Sequence, residues 1–478
     1  MSDVSVFLLC VSAIFLIGIV GELVFAKTGV PDVIWLIVVG IVLGPISGLV
    51  PKPMLEGIAP YFGALTLVIV LFNGGSSLQL RELSAAAGRG SLLALLSFLL
   101  AVACIAPITM LGAWMGVLPS DEWTWLHGVM AGAILGGSSS VVIMPALAKA
   151  GLSARISNIV NLESALTDVL CVVGTGALIS ILAPESGGEA TAGSAGMTLL
   201  KSFGIGVGVG LVAGLVAVLL LRPLHGSSYA YPITLGALLV LYVIVDELGG
   251  SAALAILTAA VMMGNAPTLS KSIGLAKEAV LDTNVKGTHG ELTFIIKSLF
   301  FVFIGAMLAP PWGPLIFGLA VGGVLLAARI PAVVVACAGQ SFSKPARGLI
   351  AVSLPRGMAA GVLAMMPHQA GVPGTSQLPV IVFAAVLTSI LIFAGGFPLM
   401  KKRLPASDLV VPSSPKAPPS EPAPLAEKSA ADPADPAKKL APVAALAELA
   451  GTSAEATTVD PSAALASEIP LVGPASDD

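Results

Sequence analysis

Thirteen apolar stretches, separated by short polar or Pro/Gly-rich breaks, follow one another along the first 400 or so positions. They run roughly over 4–25, 31–48, 61–79, 91–117, 126–148, 156–182, 197–221, 230–248, 250–265, 292–309, 313–339, 347–366 and 377–400. Most are close to the ~20 residues that a helix needs to cross the hydrocarbon core of a bilayer. They are continuous rather than alternating, which points to helices and away from the short alternating strands of a membrane barrel. The first stretch follows Met-Ser-Asp, with no basic segment before it and no cleavage site before Lys27. It is therefore expected to be a retained helix and not a signal peptide. The pattern predicts an all-α polytopic membrane protein of about 13 transmembrane helices.

Composition sharpens this picture. Of the 478 residues, 56% are hydrophobic and 10% charged, and mean hydropathy is +0.98. A soluble globule of this make-up could not cover itself with polar surface. No basic stripe is present, so nucleic acid is not an expected partner. If the N-terminus lies outside, the inner loops hold Lys27, Arg81, Arg89, Lys149, Arg155, Arg222, Lys271, Lys277, Lys286, Lys344, Arg347, Lys401, Lys402 and Arg403, while the outer side holds only Lys52 and Lys201. The positive-inside rule then places the C-terminus in the cytoplasm. A bacterial inner membrane is the expected location. Residues 404–478 are rich in Ala, Pro and Ser, lack aromatics, and carry four lysines against eleven acids. Such a segment buries too little apolar surface to offset its ordering entropy, so a disordered acidic tail is expected. Cys10, Cys104, Cys171 and Cys337 lie inside apolar runs and read as buried small hydrophobes. His127, His225, His289 and His368 fall at helix ends or loops and read as solvated.

Ionisable groups within lipid are costly and mark function by default. Five lie well inside spans: Glu163, Asp168, Lys297, Arg329 and Arg356. Arg329, in VLLAARIPAVVV, has no loop near enough to snorkel to, and Glu163 is the best partner on offer. Lys297 is shallower, and snorkelling to the cytoplasmic interface is expected. Asp168 is five residues beyond Glu163, so it points partly aside on the same helix. A carboxylate held between desolvation and nearby cations can exchange a proton for a metal ion. Two spans are interrupted near their middle, the fifth by Gly-Gly-Ser-Ser-Ser (136–140) and the twelfth by Pro355-Arg356-Gly357. Such breaks free backbone carbonyls and place opposed partial charges at depth. A single patch of this kind would read as a packing seam of small residues. Two of them, seven spans apart, suit two inverted six-helix repeats (spans 1–6 and 8–13) with crossed discontinuous helices, the architecture of secondary transporters.

The motifs that carry these features resemble the monovalent cation:proton antiporters, nearest the NhaP/NHE branch. GVPDVIWLIVVGIVLGP resembles the family's second-helix pattern, LFNGGSSLQL its Phe-x-Gly-Gly helix end, and NLESALTDVL its Glu-Ser-x-x-Asn-Asp motif. FFVFIG, Arg329 and LPRGMAAGVLA resemble later segments in the same order. The resemblance spans 1–403 and implies a homodimer. Each protomer would have a dimerisation part (about 1–80 and 197–309) and a mobile core part (about 91–182 and 313–400). It further implies that Asp168 binds the cation, with Ser164 as an oxygen ligand; the hydroxyls of Thr167, Ser138 and Ser139 are expected to complete the ligand set. Glu163 and Arg329 would form a structural ion pair, and Arg356 would stabilise the second broken helix. Two departures stand out: Thr167 replaces the usual Asn, and Ser138-Ser139-Ser140 replaces Thr-Asp-Pro, which is similar to the Ser-Ser-Thr of Kef-like potassium relatives.

The expected function is exchange of a monovalent cation for H⁺ by alternating access, with Na⁺ favoured and K⁺ or Li⁺ open. One unpaired intramembrane carboxylate implies one proton per cation, an electroneutral cycle serving pH homeostasis. A Kef-like K⁺ efflux channel is the alternative. No cofactor is expected, and no enzymatic motif such as HExxH or GxSxG is present.

Overall fold

The computed structural model describes residues 3–28, 30–78, 88–183, 192–220, 223, 226–227, 229–272, 283–339, 342–405 and 408. Arg81, Glu185, Glu189, Arg222, His225, Lys277 and almost all of the acidic tail lie outside them. The described chain is helical throughout. Its helices are α1 (Asp3–Thr28), α2 (Asp32–Ile41, extended by a π-turn over Val42–Ile46), α3 (Lys52–Ser77), α4 (Arg89–Trp114), α5 (Trp125–Ile134), α6 (Ser140–Ala150), α7 (Ala154–Leu182) and α8 (Ala192–Leu220). After these come α9 (Ala230–Glu247), α10 (Ala252–Gly264), α11 (Ala266–Ser272), α12 (Thr283–Met307), α13 (Trp312–Ala336), α14 (Lys344–Val352), α15 (Met358–Gln369) and α16 (Leu378–Lys401). Eight are long and apolar enough to cross a membrane, and the shorter ones fill the remaining predicted spans. This is a multi-pass membrane protein.

The fifth span is the pair α5 and α6, and the twelfth is α14 and α15. The odd offset between the two pairs places them in opposite orientations, as inverted repeats require. Chain chemistry accounts for both interruptions. After Ile134 the two glycines and Ser139 leave helical geometry, with Ser139 extended at φ −101° and ψ 107°. After Val352, Ser353 turns out at ψ 64°, and Pro355 has no N–H with which to continue the ladder.

Close helix contacts fall where side chains are small, since lipid supplies no hydrophobic drive for association. Gly206, Gly210 and Gly214 line one face of α8 against α10. A Cβ on Gly206 would sit 2.7 Å from the Ser251 carbonyl oxygen, and one on Gly210 2.6 Å from that of Ala255. Gly40 on α2 and Gly305 on α12 let those backbones cross in contact.

Several expectations change. Lys297 does not snorkel. It is buried, and its Nζ donates to Asp32 Oδ2 at 2.6 Å. Asp32 follows Pro31 at the start of α2 and is also buried, so the pair is satisfied internally. α12 begins nine residues before the apolar run it carries, and Val285 and His289 in these first turns are buried. There His289 is buried between the Tyr231 hydroxyl (3.1 Å from Nδ1), Thr293 and the edge of Phe72. His127 is buried too, its Nδ1 accepting the Thr124 N–H at the start of α5. His368 is exposed as expected. Cys171 and Cys337 are buried free thiols and Cys104 is half-buried. Asp408, at the head of the expected tail, is buried. It accepts from the Ser343 hydroxyl at 2.5 Å and from the Ser153 N–H at 3.0 Å.

Candidate functional site

The two interruptions meet. The Ser139 N–H donates to the Pro355 carbonyl at 2.8 Å, so each break satisfies a group freed by the other. Gly357 packs directly on the Ser139 side chain, and any Cβ there would overlap it. The Arg356 guanidinium donates to the Gly137 carbonyl. Its own N–H donates to the Ser389 hydroxyl of α16 at 2.9 Å. Arg356 therefore sets a positive charge beside the carbonyl end of α5, where the helix dipole is negative.

α7 runs past this crossing and carries both acids. Glu163 is fully buried and accepts two parallel bonds from Arg329 of α13, Nη1 to Oε1 and Nη2 to Oε2, each 2.9 Å. Arg329 Nε also donates to the Ile350 carbonyl at 3.2 Å. This planar fork is the strong form of a carboxylate pair, and it ties α7 to α13 and α14. The Ser138 hydroxyl adds a third donor to Glu163 Oε2 at 2.9 Å.

The sequence-predicted ligands divide into two groups. Ser164 donates to the Ser138 carbonyl at 2.7 Å. Thr167 accepts the Ser138 N–H at 3.2 Å and donates to the Ser164 carbonyl at 3.0 Å. Both are fully buried behind the break and lie outside the pocket wall. Asp168, Ser138 and Ser139 do reach a common pocket of about 440 Å³, together with Ser140, Cys171 and the first turn of α15. Asp168 is half-buried, and among the described residues it has neither a hydrogen bond nor an ion pair. The first turns of α6 and α15 both border this pocket. Their unpaired N–H groups and positive dipole ends complement the carboxylate.

The pocket also has a wall made by Val70, Asn73 and Gly74 of α3, the last two within the quoted LFNGGSSLQL segment but not among the expected ligands. A neutral Asn in an apolar helix carries little signal in a hydropathy profile. Above the pocket, at the Lys52 end of α3, lies a larger cavity of about 1020 Å³ bordered by Lys52, Glu56, His368 and Gln377. Between the two, Gly361 of α15 faces the Phe300 ring. Phe300 stands 5.9 Å from Phe62 and 6.2 Å from Phe303, and Phe303 is 6.1 Å from Phe383. Phe300, Phe303 and Phe383 are buried, and with Phe62 they form an apolar cluster on the helices that border cavity and pocket.

The comparisons agree with this architecture. Among solved structures, the sodium proton antiporter MjNhaP1 of Methanocaldococcus jannaschii superposes with a TM-score of 0.66 at 18% identity, covering 84% of this chain and 99% of that one. This likeness shows the shared fold. Among curated proteins, the K⁺/H⁺ antiporter NhaP2 of Shewanella baltica is 29% identical over 363 residues, which is 73% of this chain and 59% of the relative. The K⁺/H⁺ antiporter NhaP of Alkalimonas amylolytica is 27% identical, over 83% of this chain and 66% of the relative. A probable Na⁺/H⁺ antiporter of M. jannaschii is 24% identical, over 77% and 85%. The chain thus spans about three fifths of the length of the Shewanella relatives it matches. The profile described as sodium/hydrogen exchanger, transmembrane, matches residues 11–402. The chain belongs to the sodium/hydrogen exchanger family.

Proposed function

We propose that this protein exchanges H⁺ for a monovalent cation, Na⁺ with K⁺ or Li⁺ as alternatives, and that Asp168 is the group both ions share. The observation that carries this reading is the isolation of Asp168. It is a carboxylate at membrane depth, without a partner among the described residues, facing a pocket where two broken helices meet. Deprotonated, it takes the cation, with Ser138, Ser139 and Ser140 presenting neutral oxygens. Ser164 and Thr167 act by fixing the Ser138 backbone, and Ser164 is the nearer of the two to a ligand role through the carbonyl it holds. Protons on the other side compete the cation off. Glu163 is neutralised by Arg329, so one carboxylate carries the cycle and one proton moves per cation.

Alternating access requires one part to move against another. The proposed division is a dimerisation part, about 1–80 and 197–309, and a core part, about 91–182 and 313–400. It is supported by the pocket lying on that seam, with α3 on one side and α5, α6, α7 and α15 on the other. Pairing of two copies through the first part, a cytoplasmic C-terminus and a bacterial inner membrane complete the proposal. Both kinds of cation appear in the relatives' names, and those names speak for exchange and against a potassium channel.

The test is proton flux in proteoliposomes with Na⁺, Li⁺ and K⁺ added in turn, for the native chain and for Asp168→Asn. The expected result is cation-driven collapse of a pH gradient in the native chain alone. A native chain that moves no protons with any cation between pH 6 and 9 sinks the reading.

A further inference from the structure

Asp168 and Cys171 are spaced i, i+3 on α7, so they share one face of that helix, and both border the pocket. The Cys171 thiol is free and buried. It lies against the end of the first break, where a Cβ on Gly137 would stand 2.9 Å from its Sγ. Ser139, within the break, borders the same pocket. It is 8% exposed, and its hydroxyl makes no hydrogen bond among the described residues. An unpaired carboxylate, a free thiol and an unengaged hydroxyl thus meet at one small cavity from two elements. Buried polar side chains are normally satisfied by partners, so such a set is arranged for a ligand. Exchange of an alkali ion for H⁺ has no use for the sulfur. Hard cations take oxygen, whereas thiolates select soft and borderline metals.

We infer that Cys171 and Asp168 form an inhibitory site for a thiophilic divalent metal ion, of the class of Zn²⁺ and Cd²⁺, with the Ser139 hydroxyl and water completing its shell. Only the effect on transport rests on the antiporter reading above; the binding does not. As the metal–sulfur bond forms, the thiol gives its proton to water, and the ligands become a thiolate and a carboxylate. Two negative charges around a divalent ion leave the site neutral, which matters because an uncompensated charge at this depth is costly. A monovalent ion on the same two ligands would leave a negative charge over. Metal–sulfur bonds of about 2.3 Å and metal–oxygen bonds of about 2.0–2.2 Å let one ion join side chains whose Cβ atoms stand roughly 5–6 Å apart on a helix. Both anionic ligands lie on α7, so the site is formed without any movement of one part against the other. The bound metal holds Asp168 against the transported cation and the proton alike, and exchange stops.

The experiment is equilibrium binding of ¹⁰⁹Cd²⁺ to the purified full chain, with the ultraviolet charge-transfer band of the metal–thiolate bond read alongside. Cation-driven proton flux in proteoliposomes is titrated with Cd²⁺ in parallel, each variant scored against its own rate without metal. The native chain should bind one Cd²⁺, show the thiolate band and lose exchange over the same range. More of the alkali ion that drives flux should raise the half-inhibiting Cd²⁺ concentration. Cys171→Ala should lose the band and raise that concentration at least about 100-fold, since even outer-shell changes weaken metal sites by about 10–100-fold. A chain carrying Cys10→Ala, Cys104→Ala and Cys337→Ala together keeps Cys171 and should bind Cd²⁺ and be inhibited as the native chain is. A band that persists in Cys171→Ala, or that is missing from the native chain or from the triple variant, overturns the inference. Asp168→Asn should weaken Cd²⁺ binding by a similar factor; unchanged binding there would leave a thiol acting alone and overturns the two-ligand site. Binding that leaves flux untouched overturns the inhibition. The two readings fail separately. If the native chain exchanges cations but binds no Cd²⁺, the antiporter reading stands and the metal site falls. If it binds Cd²⁺ through Cys171 and Asp168 but exchanges no cation, the metal site stands and the antiporter reading falls.

Discussion

Removing either partner of the Glu163–Arg329 pair should damage the fold far more than removing both. The two side chains are 0% and 2% exposed, and they share two bonds of 2.9 Å. In Arg329→Met the buried carboxylate keeps only the Ser138 hydroxyl as donor. In Glu163→Leu the guanidinium keeps only the Ile350 carbonyl. Breaking a buried pair by deleting one member costs about 3–5 kcal/mol. Replacing both by apolar groups of similar volume removes both uncompensated charges. What remains is the Ser138 hydroxyl without its acceptor, a cost of about 1–3 kcal/mol. The single changes therefore sum to roughly 6–10 kcal/mol and the double change costs about 1–3, which leaves a coupling of about 3–9 kcal/mol. Unfolding titrations in mixed micelles, followed by tryptophan fluorescence, measure the cycle. Additivity of the two single changes within about 0.5 kcal/mol would refute the reasoning, as would single changes that cost nothing. The double variant also has a functional reading. If Glu163 serves only as a structural partner, Glu163→Leu with Arg329→Met should retain exchange driven by Asp168.

Three further outcomes follow from the same geometry. Lys297→Met should destabilise the protein by several kcal/mol on the order expected for a broken buried pair, while Lys297→Met with Asp32→Leu recovers most of it and leaves the cation KM within about twofold; a large KM change in the double variant would place this pair in the transport site. Gly305→Leu should drive α12 off α2, since a Cβ on Gly40 already falls 2.8 Å from the Gly305 Cα, and it should sharply lower the yield of folded protein; normal yield and melting would contradict the close crossing. Arg356→Gln should lose the charge that caps the carbonyl end of α5 and disorder both breaks, read as faster proteolysis or hydrogen exchange at 135–139 and 353–357 together; exchange rising at one break alone would deny their coupling.

Much of this fold is legible in the linear pattern because lipid permits few solutions. A backbone in hydrocarbon must close its own hydrogen bonds, so each apolar run of sufficient length becomes a helix. Gly136, Gly137, Pro355 and Gly357 then mark where the rule is suspended. The Glu163–Arg329 contact is readable for the same reason, since two opposite charges at depth have few alternatives to each other. Other features depend on three-dimensional placement. Asp32 sits beside Pro31 at the edge of its span and looks interfacial. Its partner lies 265 positions away, and only the tight crossing of α2 and α12 brings Lys297 to it. The hydroxyls of Ser138, Ser164 and Thr167 all read as ligands until their bonding is known. Asn73 falls within the quoted LFNGGSSLQL segment, but a helix-end motif does not say that its side chain borders the Asp168 pocket.

The cluster formed by Phe62, Phe300, Phe303 and Phe383 governs where a voltage can act. A membrane potential drops across low-dielectric material and hardly at all along an open aqueous path. One elementary charge carried across 100 mV changes in energy by about 2.3 kcal/mol. If the Asp168 pocket opens to one side and the aromatic rings close the other, most of the drop would fall across the rings. A cation arriving at Asp168 in this conformation crosses little of the field, so its affinity should be nearly independent of voltage. In the proposed exchange the field would be met when the site swings past the rings. If, as proposed, the carboxylate carries a cation in one direction and a proton in the other, the loaded site is neutral both ways, and an energised membrane would neither drive nor resist the step.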